Sequence, residues 1–456
     1  MSYADFLERK IRQTDGIGID VDPVDLNQWM HPWQREIVAW AARRGRAAIW
    51  ADTGLGKTAM QVEWLRIVAQ DGIGLIVAPL AVCQQTIREA RDHLGVTATY
   101  VREMPTAPGI YVTNYEMVDR FDADMIRAVV LDESSILKQS DGKTRTMLIK
   151  HFADVPFRLA CTATPAPNDP EELTNHAEFL GVSTRTEMLA AYFVHDQDGW
   201  RLKGHARRPM FRWMASWAVA LRRPSDMGYD DAGYVLPELH IHTHLIDVNV
   251  VPDGQLFATD IGGVGGRAAV RKSTIEDRCQ HAAELIKREP DEPWIVWCGL
   301  NAEAEMMAEL LPGSVNVHGG WTPEDKAQAM LDFADGKIRT LITKPSIASF
   351  GLNWQHCARM AFVGVTDSFE AYYQAVRRCW RFGQKRPVDV HIFASQQEGA
   401  VVANLRRKEA AAKEMSDAMA AETMDAVREN ILGRSKDTNP YQPAARMSLP
   451  DFMRAA

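Results

Sequence analysis

A chain of 456 residues exceeds what one hydrophobic core ordinarily organises, so two or more domains are expected. Its 46% hydrophobic and 25% charged residues give the balance of a soluble globular protein, and no apolar run approaches the roughly 20 residues of a membrane span. A formal charge of −8 excludes an all-over basic surface, so any nucleic-acid contact must come from a local patch.

The opening "MSYADFLERK" has no apolar signal-peptide core, and a cytoplasmic location with no membrane contact is expected. Short apolar runs then alternate with amphipathic segments. "AAIWA" (47–51), "GLIVAP" (74–79), "IYVTNY" (110–115), "AVVLDE" (128–133) and "FRLACTAT" (157–164) are separated by stretches such as "TAMQVEWLRIVAQ" and "CQQTIREARDHL". Fully apolar strands alternating with helices imply a parallel sheet covered on both faces. The second half repeats the pattern with "WIVWCGL" (294–300), "SVNVHGG" (314–320), "TLITKPS" (340–346), "MAFVGV" (360–365) and "VDVHIFA" (388–394). Two α/β lobes are expected. Six scattered cysteines include no CxxC pair and sit largely in strand-like runs, which favours buried thiols over disulfides or a zinc site.

Within the first lobe "ADTGLGKT" (51–58) follows a strand and opens a helix, the setting of a phosphate-binding loop. Gly54 and Gly56 let backbone N–H groups of the Thr53–Leu55 turn curl around phosphates. Lys57 reaches the β and γ oxygens and Thr58 offers its hydroxyl to Mg²⁺, so ATP and Mg²⁺ are the expected cofactors. Ala51 stands where the strict pattern has Gly. "VVLDES" supplies partners: Asp132 ends a buried strand and can hold the magnesium, and Glu133 beside it can take a proton from attacking water.

Between the lobes, roughly 170 to 250, the alternation stops. "RLKGHARRPMFRWMASWAVALRRP" (201–224) carries seven Arg or Lys and no acid. Residues 231–250 read as a linker, punctuated nearby by Pro and Gly. "HIHTH" places His240, His242 and His244 on one strand face; with no Cys or carboxylate cluster adjoining in sequence, a structural role is expected. "GGVGG" (262–266) follows no strand of a βαβ unit and reads as a flexible loop. "QAVRRCWRFGQ" (374–384) holds three arginines and no acid, and Asp367 with Glu370 reads as a capping box opening its helix. At 100° per residue Gln374, Arg378 and Arg381 share a stripe, while Tyr373, Val376 and Trp380 form an apolar one and Arg377 flanks. Guanidinium forks suit phosphate oxygens. The tail, 401–456, reads as a helix and a loose end.

The order of "HPWQ", "ADTGLGKT", "APLAV", "TNYEM", "LDESS", "TATPAPN", "GLNW" and "QAVRRCWRFGQ" resembles the superfamily-two helicases. Within them it resembles the SWI/SNF-like DNA translocases, in the compact form often encoded by phages. The resemblance implies two RecA-like parallel-sheet lobes in tandem that close on ATP, here 1–230 with the basic helical segment and 251–400. It implies that Arg378 and Arg381 of the second lobe meet the γ-phosphate held by the first. Gln34 matches the adenine-recognising glutamine, and Thr162 and Thr164 match the motif coupling the ATP site to the nucleic-acid groove. Gly351 and Asn353 match the motif-five loop at the lobe interface, with Gln374 beside the arginines. The chain departs from the family in having Asp132-Glu133-Ser134-Ser135 where Asp-Glu-Ala-His is usual, and in lacking paired glycines in motif five.

For the nucleic acid, Arg201, Lys203, Arg207, Arg208 and Arg212 are candidate phosphate contacts, interleaved with Trp200, Phe211, Trp213 and Trp217. Trp213 and Trp217 stand four apart on a helix, a spacing that favours packing over base stacking. Three readings stand open: a DNA-stimulated ATPase translocating on double-stranded DNA, a strand-separating DNA or RNA helicase, and an ATP-switched clamp or recruitment module. The resemblance favours the first.

Overall fold

The computed structural model describes residues 17–138, 142–166, 169–197, 199–246, 273–348, 353–364, 368–395 and parts of 403–421. In its first half the strands are β1 (Arg46–Ala51), β2 (Ile73–Ala78), β3 (Ala98–Tyr100), β4 (Gly109–Asn114), β5 (Ile126–Asp132), β6 (Phe157–Cys161), β7 (Phe193–Asp196), β8 (Gly199–Leu202) and β9 (Ala218–Leu221). All but β7 and β8, which form an antiparallel hairpin, join one parallel sheet in the order β3-β4-β2-β5-β6-β1-β9.

Both sheet faces are covered, which is why the strands read as unbroken apolar runs. Ile49, Ile76, Val130 and Leu159 pack with Trp40 and Trp64 from the helices Pro32–Arg44 and Lys57–Ala69. Ala48, Leu75, Val129 and Ala160 face the opposite layer, with Phe179 and Trp217. Strand order decides the site: β5, β6 and β1 are neighbours, with Asp132 opposite Cys161 and Cys161 opposite Ile49. Their carboxyl ends therefore lie side by side, where ligands of open α/β sheets bind.

The second half builds β10 (Leu239–Ile246), β11 (Trp294–Trp297), β12 (Val315–Asn316), β13 (Thr340–Thr343), β14 (Arg359–Phe362) and β15 (Val388–Ser395). They pair in parallel in the order β10-β15-β14-β11-β13-β12. The stretch expected as a linker, 231–250, thus contains a sheet strand: all eight residues of β10 pair with β15. Leu239 and Ile241 alternate with the histidines and pack against the second lobe's core, so the HIHTH stretch read as a strand extends into a full sheet strand. The glycine-rich segment at 262–266 and the end of the tail lie outside the described residues. Helical residues between 403 and 421 place Met419 and Ala420 in buried positions, Met419 in the first lobe's core. All six cysteines are free and buried. No helix among the described residues is long and apolar enough to cross a membrane.

Trp217 is wholly buried and meets Trp50 edge-on at 5.6 Å and Trp213 at 5.4 Å, so it packs as expected, though the helix ends at Met214 and Trp217 lies in the turn beyond it. Trp217→Ala is expected to destabilise the first lobe by about 3–5 kcal/mol, read as a shift of its urea-unfolding transition.

Candidate active site

The loop after β1 turns into the helix Lys57–Ala69 through Gly54 (φ 87°) and Gly56 (φ 73°), left-handed positions that L side chains resist. The helix N-terminus leaves its first N–H groups without intrahelical acceptors and facing the loop, which favours an anion there. Lys57, the first helical residue, folds its Nζ back onto the carbonyls of Ala51 (2.8 Å) and Asp52 (3.4 Å). Thr58 follows it, and Thr53 and Leu55 complete the turn. Gln34 is buried against this loop: its Nε2 donates to the Leu55 carbonyl at 3.0 Å, and its Oε1 accepts from His31 N at 2.8 Å. The structure thus seats Gln34 beside the phosphate loop with both ends of its amide engaged.

At the end of β5, separated from β1 by β6, Asp132 accepts from Gln61 Nε2 at 2.7 Å, one helical turn beyond Lys57. Burial and the adjacent Glu133 push the Asp132 carboxyl up to about 6, the state of an acid short of positive charge. Glu133 itself has φ 53°, a left-handed backbone in a residue with a full side chain. Such conformations cost about 1–3 kcal/mol and gather at functional sites. Its Oε2 lies 3.4 Å from the Thr162 hydroxyl, whose oxygen accepts from Thr164 N at 3.1 Å. The Thr162–Thr164 turn therefore touches the acid directly, and the link between these two motifs runs through Glu133. Ser134 turns away, its hydroxyl 3.1 Å from His176 Nε2.

The second lobe reaches this edge with the arginine segment, but not as the sequence suggests. The helix spans Phe369–Val376 and is capped by Ser368, whose side chain accepts from Ala371 N; Asp367 lies outside the described residues. Arg377 caps its C-terminus and Arg378 and Arg381 sit in the following turns, so a stripe drawn at 100° per residue does not extend to them. Arg377, expected on the flank, is the residue that crosses the cleft. Its Nη2 lies 2.6 Å from Asp52 Oδ2 in the phosphate loop, with both side chains largely buried. Its guanidinium stacks over Trp380 (4.5 Å) and Tyr373 (5.2 Å), and the Tyr373 hydroxyl donates to Asp52 Oδ1 at 3.1 Å. Tyr373 is thus a polar contact as well as an apolar one. Burial opposes the charge on Arg377, yet Asp52 and Tyr373 hold its pKa above the ordinary value.

Arg378 and Arg381 are in the opposite state. Burial, with Arg381 beside it, pulls Arg378 down to about 9 against the field of Glu133 and Asp132. Arg381 falls to about 10 for the same first reason. Buried N–H groups of Arg377 (Nε, Nη1), Arg381 (Nε) and Gln374 (Nε2) have no hydrogen-bond acceptor. Gln374 lines an interlobe cavity of about 320 Å³ with Lys138 and Lys344. Cations disfavoured by burial and donors without acceptors, opposite a phosphate loop and an under-neutralised acid, fit a nucleoside triphosphate and a divalent ion. Phe382 was not foreseen: a Cβ on Gly54 would lie 2.6 Å from its Cβ, and its ring stacks on Tyr234 at 4.5 Å. Gly351 lies outside the described residues.

Comparison with known proteins agrees with this order of parts. Residues 30–193 match the SNF2-related domain, and residues 277–383 match the helicase conserved C-terminal domain. The chain belongs to the SNF2-like helicases of superfamily two. A 180-residue stretch is 24% identical to the mouse (Mus musculus) "DNA annealing helicase and endonuclease ZRANB3", covering 36% of this chain and 17% of that protein. The chain thus matches about a sixth of that relative's length. The "Sulfolobus solfataricus SWI2/SNF2 ATPase core in complex with dsDNA" aligns over 90% of this chain and 98% of its own at 15% identity, with a TM-score of 0.42.

In this SNF2-like chain the basic segment is less free than its sequence. Lys203 Nζ donates to the carbonyls of Ala190 and Ala191, ending the helix Arg185–Tyr192. Arg201 pairs with Asp196 at 3.2 Å and Arg207 with Glu414 at 3.6 Å. One acid across the β7–β8 hairpin and one far along the chain thus offset charge that looked unopposed. Arg208 and Arg212 remain exposed.

If Asp52 and Arg377 act as a unit in lobe closure, Arg377→Ala is expected to lower ATP hydrolysis by about tenfold or more, with Asp52→Asn lowering it less. The combined variant should be no slower than Arg377→Ala alone, the non-additivity of coupled groups. An Arg377→Ala protein hydrolysing at the parent rate would remove the pair from closure.

Proposed function

We propose that the protein is an ATP-driven nucleic-acid motor, a DNA-stimulated ATPase that translocates on double-stranded DNA. The observation that carries this reading is the approach of the second-lobe arginines to the phosphate loop, bridged by Asp52 and Arg377 at 2.6 Å. Lys57 and the N–H groups of the Thr53–Gly56 turn hold the β and γ phosphates, with Gln34 beside the loop on the adenine side. Thr58 and Asp132 would hold Mg²⁺, which neutralises charge between the β and γ oxygens when bound. Glu133, aimed by its backbone, accepts the proton of the attacking water. Arg378 and Arg381 stabilise charge on the γ-phosphate only when the lobes are shut, and Thr162 and Thr164 carry the change toward the nucleic acid. The SNF2-related domain and the words "DNA annealing helicase" in the name of the similar mouse protein support DNA as the track.

Hydrolysis measured in parallel with duplex DNA, single-stranded DNA and RNA tests this. Duplex should give the largest stimulation, Lys57→Ala should abolish turnover, and Glu133→Gln should retain ATP binding while blocking hydrolysis. Stimulation by RNA alone would overturn the choice of track. Replacing exposed Arg208 and Arg212 together with Ala should reduce the slope of log affinity against log salt by about two, since each phosphate contact contributes about 0.9. An unchanged slope would return both to ordinary surface.

A second reading has one observation in its favour. The hairpin β7–β8 carries exposed Val194 and His195 on the first lobe, with His195 edge-on to Trp200 at 4.9 Å, a shape able to part strands. Robust unwinding of blunt duplex, lost when the hairpin is replaced by a short Gly-Ser turn, would favour strand separation over translocation.

A further inference from the structure

We propose that the outer edge of the second lobe binds a transition-metal dication through His240, His242 and Asp389. The site is separate from the nucleotide cleft and does not depend on the functional reading above. His240 and His242 are two apart on β10 and therefore project from the same face of the sheet. Parallel pairing sets His240 opposite Asp389 and His242 opposite His391 on β15, so the carboxylate missing from the local sequence arrives from a strand about 150 residues later.

The donor atoms of the three residues all lie within 4.8 Å of one another. His242 Nε2 stands 2.8 Å from Asp389 Oδ1, and His240 Nδ1 stands 3.2 Å from the same oxygen. With metal–ligand bonds of about 2.0–2.2 Å, ligand atoms around one ion sit about 3 Å apart, so small side-chain rotations suffice. The surrounding groups are those that orient metal ligands. The far ring nitrogen of His240 lies 3.1 Å from Glu238 Oε2. The other Asp389 oxygen accepts from Arg359 Nη1 at 2.7 Å, and Arg359 Nε is held by Glu289 at 2.7 Å. His391 stacks on the His242 ring at 4.6 Å. Three carboxylates against one guanidinium leave the neighbourhood net negative before any ion enters.

Two imidazoles and one carboxylate select Zn²⁺, Co²⁺ or Ni²⁺ over Mg²⁺ or Ca²⁺, which prefer all-oxygen sites. Both histidines are exposed, so water completes the coordination. The ion would join the edge strand β10 to β15 by a link stronger than the backbone ladder alone, and would stabilise the second lobe by mass action.

The test uses tag-free full-length protein, stripped with a chelator, dialysed and titrated with CoCl₂ and then ZnCl₂. Saturable uptake of one Co²⁺ per chain, with visible d–d absorption that Zn²⁺ displaces and millimolar Mg²⁺ does not, is the expected result. Zn²⁺ should also raise the melting temperature of the stripped protein. His242→Ala should weaken uptake by about a hundredfold and Glu238→Gln by about tenfold, in line with ligand and supporting positions. His205→Ala, on the first lobe, should change nothing. Should His242→Ala fail to fold by circular dichroism, His240→Gln at the exposed end of the site gives the same readout. Absence of saturable uptake overturns the proposal, as does equal uptake by the ligand variants, which would mean histidines elsewhere bind the ion.

Discussion

Parallel pairing puts the carboxyl end of every strand on the same edge of its sheet, and the remaining architecture follows from that constraint. In the first lobe it brings Asp52, Asp132 and Thr162 together although they are separated by long stretches of chain, because β1, β5 and β6 are neighbours. The helix after β1 then starts at the same edge, and its N–H groups add a partial positive charge to the one place where acids converge. The second sheet repeats the arrangement with other residues and offers its own loops. Function is concentrated where two such edges face each other.

What crosses between the edges is charge held out of water. Asp52 and Arg377 are largely buried, so each would be unfavourable without the other. Arg378 and Arg381 lose basicity to burial, Arg378 even with the field of Glu133 and Asp132 acting on it. The three arginines therefore divide into one whose charge is raised by a fixed acid and two whose charge burial disfavours, a cost that a phosphate would relieve. The cleft pairs a permanent tie with a conditional one.

The two lobes were legible, as was the placing of the glycine loop and the Asp132–Glu133 pair at strand ends, because each rests on local pattern: apolar runs, glycine spacing, an acid at a strand end. Residues that depend on what lies opposite were not. Arg377 looked like the flank of a helix because 3.6-residue periodicity was carried past Val376, where the helix stops. Asp52 is one acid among many until a second-lobe guanidinium is set against it. The histidine face of β10 was legible as a strand, but its pairing with β15 was not, and the third member of that cluster, Asp389, has no sequence proximity to announce it. Basic residues at 201–212 overstated their availability, since Arg201 meets Asp196 just upstream of the acid-free run and Arg207 meets Glu414 from the far end of the chain.

The left-handed backbone at Glu133 has a consequence for how the chain can be improved. Glycine or asparagine would relax that position, so a search for thermal tolerance conducted without selection for turnover should drift toward them. The same drift would remove the acid and the backbone geometry that aims it. Natural proteins sit just above the stability they need, and strained functional positions are where stability and activity pull apart. The identity of residue 133 in a collection of stabilised variants would therefore record whether activity had been demanded of them.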